Sequence, residues 1–158
     1  MCYHEYECNM RYFLLLFLIT VFPLFMHGID NVNLNYLQTC IKKHCFLSRI
    51  ADTPTARAKG LMGETYLPRN EAMLFVFPIE GLPSFWMKKT KIPLDILFIN
   101  DKDIIVYTVK NAQPCDGNDC PVYQTTRRAS KVLEINGGLA NELGIRVGDA
   151  VGYFIEDN

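Results

Sequence analysis

Leu94-Asp95-Ile96-Leu97-Phe98-Ile99-Asn100-Asp101-Lys102-Asp103-Ile104-Ile105-Val106-Tyr107-Thr108-Val109 is the stretch from which the fold can be read. Pro93 opens the first apolar run, Asn100 and Asp101 supply turn chemistry, and Ile104 to Val109 is rich in β-branched side chains. This pattern predicts a hairpin with its turn over Asn100 to Asp103. Just upstream, Ser84 to Lys88 alternates strictly, with Phe85 and Met87 on one face and Ser84, Trp86 and Lys88 on the other. Trp86 and Lys88 are therefore same-face neighbours. Pro78, Gly81 and Pro83 punctuate a turn before that segment. Met73 to Phe77 is apolar at every position, which predicts a central strand covered on both sides.

Farther out the signals are shorter. Residues 29–43 are polar with scattered apolar positions and read as a linker to a strand over His44 to Ala51. Asp52-Thr53-Pro54 marks a helix start, because Asp or Thr caps free N–H groups while Pro54 takes a first-turn position that needs no donor; Gly60 and Gly63 stop that helix. Asn111 to Pro121 holds Pro114, Gly117 and two cysteines and reads as an ordered loop. Lys131 to Ile135 is a further strand. Asn136 is the expected N-cap of a short helix through Leu143, with Gly144 as its stop, and Val147-Gly148-Asp149 turns the chain into a last strand, Ala150 to Ile155. Six or seven short strands and two short helices give an α+β class with β dominating: a small barrel or strongly curved antiparallel or mixed sheet over residues 44–156.

The chain has 158 residues, of which 49% are hydrophobic and 12% aromatic, enough for one domain with a real core. A formal net charge of −1 offers no field to draw in nucleic acid or anionic lipid. Phe13 to Met26 is a nearly unbroken apolar run, with Arg11 before it and Asp30 after it. Residues 1–28 read as a signal sequence, with cleavage near Gly28 and a true start at Met10 in place of Met1 as one arrangement. The run falls short of the roughly 20 apolar residues of a spanning helix and contains Pro23; anchoring to the inner membrane by residues 11–28 is the alternative. Cys40, Cys45, Cys115 and Cys120 remain in the mature chain. An even number suits an oxidising compartment, and three connectivities are open, local pairing being the simplest.

Ala51-Asp52-Thr53-Pro54 with Arg57 to Gly63, Ser84 to Lys88 with Thr90 and Ile92 to Phe98, Asn111 to Cys115 with Cys120-Pro121, Val132 to Asn136, and Gly144 to Asp149 stand in a fixed order. Together they resemble the domain of unknown function family 192, a prokaryotic group often carrying an export signal. The resemblance covers about residues 45 to 155 and implies a β-rich single-domain fold without an agreed activity. Lys89 stands where that family commonly has asparagine, and Lys110 where an acidic residue is frequent. Both add positive charge near Lys88 and Lys91, which would favour an anionic partner if they cluster.

Trp86 and Lys88 on one face, followed by Asp95 after a proline-marked turn, make an aromatic platform with two charges, as ligand pockets use. The competing reading pairs Asp95 with Lys88 across strands and packs Trp86 in the core. Glu134 lies in an otherwise apolar strand; with Asp95 it would make a carboxylate pair fit for acid/base work, against a lone carboxylate accepting hydrogen bonds at a strand end. Cys115 and Cys120 flank the turn-forming Asp116-Gly117-Asn118-Asp119, which brings their sulfurs together in a structural disulfide that fixes the loop's shape. Metal binding there lacks a second Cys or His pair in the resemblance, and Met62, Met73 and Met87 sit in apolar runs that read as core. No Walker loop, dinucleotide fingerprint, nucleophile elbow or His-Glu-x-x-His motif is present.

These readings lead to an expected binding or accessory module of the cell envelope, periplasmic or membrane-anchored, without cofactor or metal. Its pocket would be lined by Trp86, Lys88, Asp95 and the loop from Asn111 to Cys120. Its partner would be a small molecule or envelope component and not nucleic acid, with membrane contact only through the N-terminal segment. Two alternatives are a hydrolase-like enzyme acting on an envelope polymer through Asp95 and Glu134, and a structural partner that presents an apolar patch.

Overall fold

A computed structural model describes residues 36–155; the leader expected over residues 1–28 lies outside the described residues. In chain order the elements are β1 (Tyr36–Ile41), β2 (His44–Ala51), α1 (Pro54–Lys59), β3 (Glu71–Gly81), β4 (Ser84–Trp86), β5 (Leu94–Ile99), β6 (Ile105–Ala112), β7 (Val122–Gln124), β8 (Ala129–Asn136), α2 (Leu139–Glu142) and β9 (Val151–Phe154). Seven strands form one sheet in the order β6-β5-β8-β3-β2-β1-β9, while β4 and β7 make a separate two-stranded ribbon. The hairpin read from residues 94 to 109 is β5 and β6, paired antiparallel, and the all-apolar run of β3 lies at the centre of the sheet.

The sheet is mixed because the crossover through α1 sets β2 and β3 parallel, whereas the other neighbouring strands are antiparallel. It also curls. Edge strands β6 and β9 approach each other through an Ile104–Ala150 bridge and the bonds from Ile105 N to Asp149 O and from Val151 N to Asp103 O. One apolar cluster draws on all seven strands of the sheet and on α2, including Ile41, Phe46, Leu74, Leu97, Leu133 and Ile135, and fills the inside of the curl. A second covers the outer face, where Phe75, Ile96, Phe98 and Val132 meet Leu61 and Met87. This is the curved, mainly β architecture expected from the strand pattern.

Helix α1 forms as its sequence dictates. Thr53 Oγ1 accepts from Ala56 N at 3.1 Å, Pro54 takes the first turn, and Gly60 ends the helix at φ 48, a left-handed value that costs glycine little. Two expectations are corrected. Residues 36–41, expected as part of the linker over 29–43, form β1, hydrogen-bonded between β2 and β9. Thr39 is fully buried on the same face as Ile41, and this polar residue at an interior position breaks the apolar alternation that would reveal the strand. Asn136 is not a helix cap. It closes β8, and its side-chain amide donates to Leu67 O at 3.0 Å. Gly138 takes the N-cap position of α2 without a capping side chain of its own.

Candidate functional site

The missing cap is supplied from a distant strand. Asp95, fully buried in β5, accepts from Gly138 N at 2.9 Å and Ala140 N at 2.7 Å, and also from Asn111 N at 2.6 Å. Charge-assisted bonds to three backbone donors tie the start of α2 and the end of β6 to one carboxylate. Asn111 sits at φ 51 there, a conformation asparagine tolerates better than most residues. Asp95 thus does not pair with Lys88 but is held by backbone N–H groups, and Asn111 enters this arrangement through its backbone.

Asp95 also does not meet Glu134. In the β5–β8 register Asp95 lies opposite Ile135 and Glu134 opposite Ile96. Ile135 belongs to the inner cluster and Ile96 to the outer one, so the pleat points the two carboxyls to opposite faces of the sheet. The acid/base pair weighed from the sequence as an alternative is thereby excluded.

Glu134 faces a cleft of about 280 Å³ on the outer face, between α1 with its following turn and β4. Phe75 and Phe77 of β3 and Phe85 and Trp86 of β4 supply aromatic walls. Phe85 meets Phe75 edge-to-face at 4.8 Å and Phe77 at 6.4 Å, so the rings form one cluster. Arg57 and Lys59 bring positive charge from the helix side. The Arg57 guanidinium lies 5.2 Å from the Phe77 ring centre and donates to Val76 O at 2.8 Å and to Asp52 O. Neither cation has an ion-pair partner among the described residues.

Glu134 itself is 4% exposed and has no hydrogen bond or ion pair with any described residue. A lone carboxylate with hydrogen bonds at a strand end, the competing reading, is therefore not what the structure holds. Burial alone pushes its carboxyl up to about 8, so at neutral pH the group is mainly the neutral acid, with an O–H to donate. Thr90, 4% exposed, lines the same cleft and makes no side-chain hydrogen bond with a described residue.

Of the residues singled out from sequence, Trp86 and Glu134 come together here, while Lys88, Asp95 and Asn111 are not among the cleft's lining. Lys88 Nζ lies 5.3 Å from the Trp86 ring centre, a cation–π contact that braces the indole, which stays 49% exposed instead of packing in the core. Lys91 pairs with Asp116 at 2.7 Å, and Lys89 takes φ 60, a left-handed value uncommon for lysine. Sequence reasoning missed Arg57, Lys59 and Thr90 as site residues. Their segments are visible in the resemblance, but nothing local says that α1 and Glu134 line the same cleft.

Cys115–Cys120 and Cys40–Cys45 are both disulfides, the local pairing that was the simplest of the three open connectivities. Two such bonds suit an oxidising, exported setting. The Cys115 loop is joined to the cleft wall: Cys115 N donates to Met87 O at 3.2 Å and Lys89 N to Cys115 O at 2.8 Å. Met73 and Met87 are core residues, as their apolar runs suggest.

Fold and site together define a small β-rich domain with a cleft bearing four aromatic rings on the outer face of a curled sheet. The chain belongs to the domain of unknown function family 192, DUF192, described as an uncharacterized ACR, whose model matches residues 37–153. A solved protein of unknown function from Novosphingobium aromaticivorans DSM 12444 is 35% identical, with a TM-score of 0.70 over 80% of this chain and 89% of that one. A protein from Sinorhizobium meliloti 1021, proposed to be a transcription regulator, is 28% identical, with a TM-score of 0.70 over 75% of this chain and 93% of that one. No curated protein matches the chain.

Proposed function

We propose that this domain is a binding or accessory module of the cell envelope that holds a small molecule in the cleft between α1 and β4. The observation that carries the reading is Glu134: a carboxyl of a 4% exposed residue that faces the cleft and has no hydrogen-bond partner among the described residues, so that a ligand in the cleft would supply one. Trp86 forms an exposed wall for ligand contact, and Lys88 holds its ring. The separation of Asp95 and Glu134 onto opposite faces of the sheet favours binding over acid/base hydrolysis. A net charge of −1 favours a small molecule or envelope component over nucleic acid. The apolar run after Arg11 supports export as a signal sequence, leaving the domain periplasmic or held at the inner membrane by residues 11–28. A thermal-shift screen of small molecules against the full chain tests the binding reading. Compounds that raise the melting temperature of the wild type should lose most of that effect with Trp86→Ala, whose own melting temperature stays near wild type. Shifts that survive Trp86→Ala unchanged would contradict it.

A further inference from the structure

Resting on that reading, we propose that the cleft selects a small aromatic acid, its ring against Phe77, Phe85 and Trp86 and its carboxylate received by Glu134, Thr90 and the positive charge of Arg57 and Lys59. Three features point the same way. At about 280 Å³ the cleft lies at the small end of ligand sites, fitting a single substituted ring. Four aromatic rings, those of Phe75, Phe77, Phe85 and Trp86, line it. A sugar acid of equal size brings several hydroxyls that all need partners, whereas the polar side chains lining the cleft besides its cations are Ser84, Thr90 and Glu134. The third feature is charge. The cleft holds two cations without ion pairs among the described residues and a single acid, and that acid is mainly neutral at pH 7 because burial raises its midpoint to about 8. An anion placed there meets no opposing carboxylate and takes a charge-assisted hydrogen bond from the Glu134 O–H.

The same geometry makes binding depend on pH in one direction. Above the Glu134 midpoint its carboxylate faces the ligand's, and binding weakens. The charged groups around it are Arg57 and Lys59 from α1, Lys88 just after β4, and Arg49 of β2. Arg49 lies on the same face across Met73 and is tied to Glu64 at 2.9 Å. From β3 and β5 the facing side chains, Met73 and Ile96, are apolar.

Trp86 is the chain's one tryptophan, so its fluorescence reads the cleft directly. The experiment is a titration of the full chain with benzoate, benzyl alcohol and glucuronate at about pH 6.5 and about pH 9.5, on either side of the Glu134 midpoint. Benzoate should quench saturably and bind tightest at the lower pH, and weaken by roughly tenfold or more at the higher one. Glu134→Gln, which keeps a donor but cannot ionise, should remove that pH dependence, and Lys59→Gln should weaken benzoate but not benzyl alcohol. Benzyl alcohol binding as tightly as benzoate, or glucuronate binding tighter, would overturn the ligand class while leaving a ligand-binding cleft in place. If none of the three perturbs Trp86, both the class and the cleft reading fall.

Discussion

Asp95 and Glu134 are two carboxyls on neighbouring strands with opposite fates. Asp95 is saturated by three backbone N–H groups, and its work is to join β6, β5 and α2. Asp95→Asn replaces an acceptor oxygen by an NH2 that confronts a backbone donor, and should destabilise the domain by about 2–4 kcal/mol in urea unfolding. Glu134 has the contrary environment. Its proton is held more tightly folded than unfolded, so between the ordinary value of 4.5 and about 8 the unfolded chain releases a proton that the folded one retains. Stability therefore falls as pH rises through that window, with a ceiling of about 5 kcal/mol. Glu134→Gln should flatten this slope, read as a stability gap over wild type that is wider at pH 8 than at pH 5; parallel curves would mean that the carboxyl is solvated. Both residues are legible as charges in apolar runs. Which face each takes is not, because it depends on the β5–β8 register, and a shift of one residue would have put them side by side.

Between elements, the ribbon of β4 and β7 carries Phe85 and Trp86 over the cleft and is held from behind by the Cys115–Cys120 loop. The double variant Cys115→Ser/Cys120→Ser should cost about 2 kcal/mol, the loop-closure value for so short a ring. Its sharper mark should be local: faster hydrogen exchange at Phe85 and Tyr123, with β3 and β8 unaffected. Uniform acceleration would show that the loop supports the whole domain. Much of this layer was readable from sequence. The alternation over 84–88, the turn chemistry at 100–103 and the Thr53–Pro54 helix start are local signals with local causes. The capping of α2 was not, since its acceptor comes from a strand more than forty residues earlier in the chain.

At the scale of the molecule, the curl closes only if β1 is present. It bridges β2 and β9, and β9 in turn meets the start of β6. A chain beginning at residue 43 should fail to unfold cooperatively by circular dichroism, whereas one beginning at residue 29 should keep the wild-type transition. A cooperative transition in the shorter chain would show that the sheet stands open without β1. The class of fold was legible because several short strands with β-branched runs and turn signals admit few architectures. The cleft was not, because it forms where α1 and the β4–β7 ribbon cover the same outer face, a meeting that only the folded chain makes.

The account turns on Glu134 being a desolvated acid without a partner among the described residues, and a carbon-13 NMR titration of its side-chain carboxyl in the free protein tests that most directly. A midpoint near 8 is the result expected of a desolvated group waiting for a ligand. A midpoint near 4.5 would place the carboxyl in water and remove the neutral donor on which the proposed site depends.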